Sequence, residues 1–324
     1  MLTSVEVCAG AGGSALGLEQ AGFYHQALIE IDAHACATLR LNRPQWNVLE
    51  QDLALFKGSE FRGVDLLSGG VPCPPFSVAG KQLGEADERD LFPEMLRLAE
   101  ALEPSAVLIE NVKGILTERF GAYRAQVDHR LSELGFVPEW RLLQSSDYGV
   151  PQLRPRVVMV ALRPVALSAF EWPQASDYPA PTVGEVLRQA MAEGGWPGVD
   201  SWAEQADRIA PTLVGGSKKH GGPDLGPTRA KQAWAELGVN AKTLAEAPPG
   251  PDHDGMPRLT VSMAALLQGF PPDWLFSGRK TNAYRQVGNA FPPPVAKAVG
   301  EQIYRALRLA SAGPRHGQLE LAVS

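Results

Sequence analysis

Cys73 stands in the run Asp65-Leu66-Leu67-Ser68-Gly69-Gly70-Val71-Pro72-Cys73-Pro74-Pro75-Phe76-Ser77, just past a short apolar stretch and among prolines that stiffen its loop. A thiol fixed there, at the ligand edge of a sheet, is a candidate nucleophile. The other two cysteines, Cys8 and Cys36, fall in a predicted strand and a predicted helix, where a free cysteine behaves as a small hydrophobe. With no C-x-x-C pair, the sequence supports neither a disulfide framework nor a Cys-rich zinc site, and no metal is expected.

A second constellation opens the chain. Val5-Glu6-Val7-Cys8-Ala9-Gly10-Ala11-Gly12-Gly13-Ser14-Ala15 reads as a strand, a glycine-rich turn and the start of a helix that Gly22 closes. Such a turn lets backbone approach a ligand and offers N–H groups at a helix start. Glu30 ends the next predicted strand about twenty residues on, where a carboxylate can accept hydrogen bonds from both ribose hydroxyls. Asp52, after the apolar Trp46, Val48 and Leu49, is placed to take an adenine amino group. Gly10, Gly12 and Ala15 also fit the G-x-G-x-x-G/A pattern of dinucleotide enzymes, so an adenine dinucleotide and S-adenosylmethionine both suit these residues.

These groups need a scaffold. The first 165 residues alternate short apolar runs with helical periodicity, the pattern of an α/β fold with a parallel sheet. Strands are predicted at Val5 to Cys8, Ala27 to Glu30, Val64 to Leu67 and Ala106 to Glu110, and helices at Ser14 to Ala21, Leu91 to Leu102 and Tyr123 to Leu134, the last capped by Gly135. Ligands of open α/β sheets lie beyond the carboxyl ends of the strands, where the candidate residues fall. Between about 166 and 257 glycine and proline pairs punctuate the chain and clear periodicity is scarce, which predicts a second, loop-dominated domain. A helix returns from about Pro294, with Val295, Val299, Ile303, Ala306 and Leu307 at helical spacing, and 312–324 reads as a loose tail.

The 324 residues, 44% hydrophobic and 20% charged, suffice for one large domain or two smaller ones. Acidic residues outnumber basic ones 36 to 30, a net charge of -6 that predicts no overall attraction to nucleic acid or to an anionic membrane. The average hides a local exception: between 208 and 231, Arg208, Lys218, Lys219, Arg229 and Lys231 face Asp224 alone. The start of the chain lacks the basic and apolar blocks of a signal peptide and no run of 18 apolar residues occurs, so a cytoplasmic protein without membrane attachment is expected.

Taken together, the motifs resemble the DNA cytosine-5 methyltransferase family over almost the whole chain apart from the middle domain and tail. Cys8 to Gly13 is similar to its S-adenosylmethionine motif, and Pro72-Cys73 to its catalytic dipeptide. Glu110-Asn111-Val112 resembles its E-N-V motif, Gln152-Leu153-Arg154-Pro155-Arg156 its Q-x-R-x-R motif and Leu267-Gln268-Gly269-Phe270-Pro271 its L-Q-G-F-P segment. Arg285 through Gln286-Val287-Gly288-Asn289 to Pro294 resembles its final motif. The resemblance implies a Rossmann-like α/β methyltransferase sheet with a second, smaller, loop-rich target-recognition domain. Residues 1–165 would bind cofactor and catalyse, completed by 285–311, and 166–284 would read DNA.

The resemblance also assigns roles. S-adenosylmethionine would lie against Cys8, Gly10, Gly12, Gly13, Glu30, Ile31, Asp52, Leu53, Pro72, Leu91 and Asn289. Cys73 would add to C6 of the target cytosine, Glu110 would hold or give a proton at N3, and Arg156 would hold O2, with Arg154 as a supporting or phosphate-contacting partner. Those atoms are inaccessible in a stacked pair, so the base would be flipped into the pocket. The stretch Ser77 to Phe92 resembles the family's mobile loop, with Ser77, Lys81 and Gln82 toward the DNA. In the middle domain Lys218, Lys219, His220, Arg229 and Lys231 are the expected DNA contacts. The expected partners are duplex DNA and a restriction endonuclease of the same site, and the expected state is a monomer. A nicotinamide-linked oxidoreductase would explain the glycines and Glu30 but leaves Cys73, Glu110 and Gln152 to Arg156 without roles. An RNA cytosine-5 enzyme would pair two cysteines, and no second cysteine here is placed to share the base. Departures from the family pattern are Cys8 in place of Phe, Pro74 in place of Gln, and Ile31 in place of an aromatic residue beside adenine.

Overall fold

The computed structural model describes residues 1–72, 90–216 and 222–312. The tail expected from 312 lies outside them, apart from its first residue. In chain order the strands are β1 (Thr3–Val7), β2 (Tyr24–Glu30), β3 (Val48–Glu50), β4 (Leu66–Gly69), β5 (Ala106–Val112), β6 (Val137–Gln144), β7 (Gln152–Leu153), β8 (Pro155–Leu162) and β9 (Ala210–Pro211). Seven of them form one sheet in the order β3-β2-β1-β4-β5-β8-β6, and β7 pairs with β9. The first five strands of that order run parallel, as their apolar runs predict. β8 runs antiparallel to both β5 and β6, which corrects the all-parallel expectation. The ten residues from Ser145 to Arg154 are too few for a parallel crossover, so the chain returns as a hairpin.

Alternate residues of each strand serve opposite faces. On β5, Val107 and Ile109 pack with Met95 and Leu98 of α3 (Phe92–Leu102) and Val127 and Leu131 of α4 (Gly121–Glu133). Ala106 and Leu108 face the other way, toward Leu18 and the C-terminal helix. α1 (Gly13–Gln20) follows β1, and α2 (Ala33–Asn42) follows β2 with Asp32 capping its first turn. The C-terminal helix α11 (Pro293–Ser311) lies on α1, and that contact explains two glycines. A Cβ on Gly13 would collide with the Phe291 carbonyl and one on Gly17 with the Pro293 carbonyl. The two backbones therefore meet more closely than any side chain allows, and the end of the chain is fixed beside the glycine-rich turn at its start.

Between the sheet and α11 come α5 (Pro164–Leu167), α6 (Val183–Ala192), α7 (Val199–Gln205), α8 (Thr228–Glu236), α9 (Val261–Leu267) and α10 (Lys280–Asn289). Between 166 and 257 loops dominate the described residues, as expected, and the helices among them are short and carry few buried residues. α6 has the ridge Val183, Leu187 and Met191, whereas α7 and α8 each bury one tryptophan, Trp202 and Trp234, and so show no apolar stripe. These residues share one buried cluster with Leu16, Leu28 and Leu39 of the sheet's flank. No helix among the described residues is long and apolar enough to cross a membrane.

A polar clamp fastens this second part to the sheet. Arg154, just before β8, is 0% exposed, and its guanidinium donates to the carbonyls of Leu213 at 2.7 Å, Gly288 at 2.8 Å and Ala290 at 2.9 Å. Gln152 accepts from Leu213 N–H at 2.8 Å and donates to Gln268 Oε1 at 2.7 Å, and Gln268 donates to the Ala290 carbonyl at 2.6 Å. Every one of these groups is out of water, so removing one member strands the others. Arg154→Met should cost about 3 kcal/mol or more in urea unfolding, and a loss under about 1 kcal/mol would show that the clamp is not needed for stability.

Candidate active site

A cavity of about 590 Å³ opens beyond the carboxyl ends of β1, β2, β4 and β5. Its wall holds ten of the eleven residues expected to hold a cofactor: Cys8, Gly10, Gly13, Glu30, Ile31, Asp52, Leu53, Pro72, Leu91 and Asn289. Gly12 is the exception. It caps α1 with φ 84°, and a Cβ there would run into Leu39 and Trp274, so its smallness serves the turn and the packing behind it. Cys8 corrects a second expectation: it lies past the end of β1, with φ 52°, and faces the cavity. Burial and the nearby Glu30, Glu6 and Asp52 push its thiol up to about 12, so it stays protonated and unreactive.

Glu30 closes the glycine-rich turn. Its Oε2 accepts from Gly10 N–H at 2.8 Å, and its Oε1 accepts from Ile31 at 2.8 Å and Asp32 at 2.7 Å. A carboxylate held by three backbone donors is fixed in place, with acceptor capacity left on Oε2 at the cavity that Glu30 lines. Asp52 caps the short turn Leu53–Leu55 through Ala54 N–H at 3.0 Å. Ile31 is 63% exposed at the cavity rim and offers an apolar surface there. Asn289 donates to the Gly216 carbonyl at 3.2 Å and so ties α10 to the segment that passes over the cavity.

The reactive side of the cavity is built around Glu110 on β5. Arg156 Nε lies 2.8 Å from Glu110 Oε1, with both side chains mostly buried. Burial raises the Glu110 carboxyl above its ordinary range, with Arg156 and Arg154 pulling the other way. Desolvation therefore wins, and Glu110 can hold a proton while one oxygen is oriented by a guanidinium. Arg154 itself does not reach the wall. Its two terminal nitrogens donate to the three carbonyls of the clamp and the whole side chain is buried, so of its two expected roles the phosphate-contacting one gives way to the supporting one, holding the two parts of the chain together.

Cys73, Ser77, Lys81, Gln82, Lys218, Lys219 and His220 lie outside the described residues. The backbone just before Cys73 is described, and Asn111 fixes it: its buried amide donates to the Val71 carbonyl at 3.0 Å, while its Oδ1 accepts from Val112 N–H at 2.8 Å. Asn111 was visible in the E-N-V motif, but spacing alone gave it no role. Arg229 is exposed on α8. Lys231 is paired with Asp224 at 3.3 Å, and Arg208 with Glu236 at 3.3 Å, so part of the basic stretch is neutralised within the fold.

Glu6 and Asp32 are acidic residues on this wall that the sequence did not single out, Glu6 because a carboxyl inside an apolar strand gives no positional signal. Glu6 is 1% exposed on β1, accepts from Ser68 Oγ at 3.4 Å, and is bonded to Ser14 and to the Ala15 backbone at the start of α1. It thus stitches β4 and α1 to the strand between them.

The family model for C-5 cytosine-specific DNA methylase matches residues 2–305. Among curated relatives, the chain is 54% identical over 318 residues to the type II methyltransferase M.NaeI of Lentzea aerocolonigenes, covering 96% of this chain and 77% of that one. It is 52% identical over 315 residues to the type II methyltransferase M.NgoMIV of Neisseria gonorrhoeae, covering 94% and 98%. Among solved structures it resembles a DNA modification methyltransferase encoded within an E. coli prophage, with TM-score 0.66 and 22% identity over 95% of this chain and 100% of that one. It also resembles DNMT2 of Spodoptera frugiperda, with TM-score 0.65 and 17% identity over 94% and 100%. At those identities the likeness shows the fold, a Rossmann-like α/β sheet.

Burial pushes the Glu6 carboxyl up to about 8 from its ordinary 4.5. A carboxyl raised by folding adds stability that is whole below the unfolded value and is lost as pH rises through the folded one. Thermal melts should therefore show stability falling from about pH 5 to about pH 8, with a shallower fall in Glu6→Gln. Equal slopes in the two proteins would show that Glu6 does not carry the effect.

Proposed function

The chain belongs to the C-5 cytosine-specific DNA methylase family, and on that premise we propose that it transfers a methyl group from S-adenosylmethionine to C5 of a flipped-out cytosine in a specific duplex DNA sequence. The single observation that carries the reading is the pairing of Glu110 with Arg156 at 2.8 Å beside the cavity that Glu110, Pro72 and the glycine-rich turn line together.

The cavity fits this cofactor. Gly10 lines it, and a Cβ added there would meet nothing within 4 Å, so the turn leaves open space for a ligand against its backbone. Glu30 and Asp52 would hold the ribose and adenine, and Ile31 and Leu53 the adenine faces. Glu30, Asp32 and Asp52 on the wall suit a cationic guest, whereas burial raises Glu6 and Glu110 toward the protonated form. When bound, S-adenosylmethionine supplies an electrophilic methyl group on a sulfonium.

Cytosine C5 is a poor nucleophile, and the chain's residues would change that. The Cys73 thiolate adds to C6, forming the S–C6 bond and moving an electron pair toward N3 and O2. Glu110 gives or shares a proton at N3, and Arg156 stabilises the charge that grows at O2. The ring then reacts at C5. Loss of the C5 proton re-forms the double bond and expels the thiolate. Asn111, holding the Val71 carbonyl, sets the backbone before Cys73 relative to Glu110. Because these atoms are hidden in a stacked pair, the base must leave the helix.

In this reading residues 1–165 with 285–311 form the catalytic domain and 166–284 recognise the DNA, with Arg229 an exposed contact. Both curated relatives are named as type II methyltransferases, which supports a restriction–modification role with an endonuclease of the same site as companion.

Bisulfite sequencing of DNA from cells expressing the protein should show 5-methylcytosine at one short sequence context, and its absence with soluble protein present would overturn the reading. Cys73→Ser should lower methyl transfer to duplex DNA by about 10³-fold or more while S-adenosylmethionine still binds. Transfer near the wild-type rate would remove Cys73 as the nucleophile. Asn111→Ala should cut kcat about 10²-fold with cofactor affinity unchanged, and an unchanged kcat would show that the Val71 contact does not position the nucleophile.

A further inference from the structure

The cavity wall is electrically lopsided. Apart from Glu6 and Glu110, which burial raises toward the protonated form, it carries Glu30, Asp32 and Asp52, and against these stands one basic side chain among the described residues, Arg285. Arg285 is half-buried on α10, and among the described residues its guanidinium has neither an ion pair nor a hydrogen bond. A half-buried arginine on a cavity wall with its donors unspent is suited to an anion. We propose that Arg285 binds the α-carboxylate of the amino-acid tail of S-adenosylmethionine, an assignment that rests on the reading above that this cavity holds the cofactor.

Charge explains the need. The cofactor's sulfonium and ammonium groups are welcome among carboxyls, whereas its carboxylate is repelled by them. A single cation on the wall reverses that repulsion at one place and so sets which way the zwitterionic tail lies. Position explains why the cation is Arg285. It stands one helical turn before Asn289, at i and i+4 on one face of α10, and both line the cavity. The adenosine-side carboxylates Glu30 and Asp52 follow β2 and β3, so α10 supplies a separate portion of the wall. The local backbone is also rigid. Gly215 has no room for a side chain against the Arg285 carbonyl, and the Arg154 clamp holds the Gly288 carbonyl three residues on. Sequence reading absorbed Arg285 into a motif without giving it a task.

The other anion within reach of a methylase is a DNA phosphate, and one set of titrations separates the two. Calorimetry measures the affinity of wild type, Arg285→Ala and Arg285→Lys for S-adenosylmethionine and for its decarboxylated derivative, in which hydrogen replaces the α-carboxylate. Duplex DNA affinity is measured alongside. Wild type should bind the decarboxylated derivative about 10-fold or more weakly than S-adenosylmethionine. In Arg285→Ala that difference should shrink to about 2-fold or less, because S-adenosylmethionine alone loses affinity, and Arg285→Lys should restore part of it. Equal weakening of both ligands in Arg285→Ala overturns the assignment, as does unchanged S-adenosylmethionine affinity with weakened DNA binding. A wild-type protein that binds neither ligand overturns the cofactor reading itself.

Discussion

Arg154 and Arg156 take two positive charges out of water, and the places where those charges are met decide the geometry around them. Arg154 is met by the carbonyls of Leu213, Gly288 and Ala290, so the part of the chain beyond the sheet has one permitted position against β8. Arg156, two residues on, is met by Glu110 on the neighbouring strand. A buried guanidinium loses several kcal/mol if a partner is missing, which makes both arrangements nearly all-or-none. The clamp sets the wall of the cavity that α10 contributes, and the ion pair sets the reactive wall.

The chemistry proposed here asks opposite things of Glu110. It must be oriented closely enough to meet one ring nitrogen, yet keep a proton near neutral pH. An isolated buried carboxyl would keep the proton but lack orientation, and an exposed ion pair would be oriented but ionised. Burial that outweighs two nearby guanidiniums reconciles the two demands. Glu6, also buried, shows the same physics used for construction, since it joins two strands to the start of α1.

Much of this was legible in the sequence because its signals are local. The glycine-rich turn, Glu30, Asp52, Pro72 and Leu91 each follow an apolar run that names its strand or helix, and the cavity gathers them as expected. Gly12 falls outside the cavity wall, and a glycine that admits a ligand and one that admits a turn look alike in a motif; the Trp274 and Leu39 side chains behind it show the demand of packing. Arg154 stayed between a supporting and a phosphate-contacting role because the spacing Q-x-R-x-R does not say which arginine is buried. Asn111, Glu6 and Arg285 gained roles only when long-range contacts placed them. The helices α6 to α8 were missed since short helices that bury one tryptophan or one ridge leave little periodicity among glycine pairs.

A cysteine that adds to C6 must later be released by loss of the proton at C5. Duplex DNA carrying 5-fluorocytosine in the target sequence has no such proton to lose. Incubated with the protein and S-adenosylmethionine, it should yield a covalent complex that survives denaturing electrophoresis and whose cross-linked peptide contains Cys73. Active enzyme that methylates ordinary DNA but leaves no covalent species on the fluorinated duplex would contradict addition of a cysteine to C6.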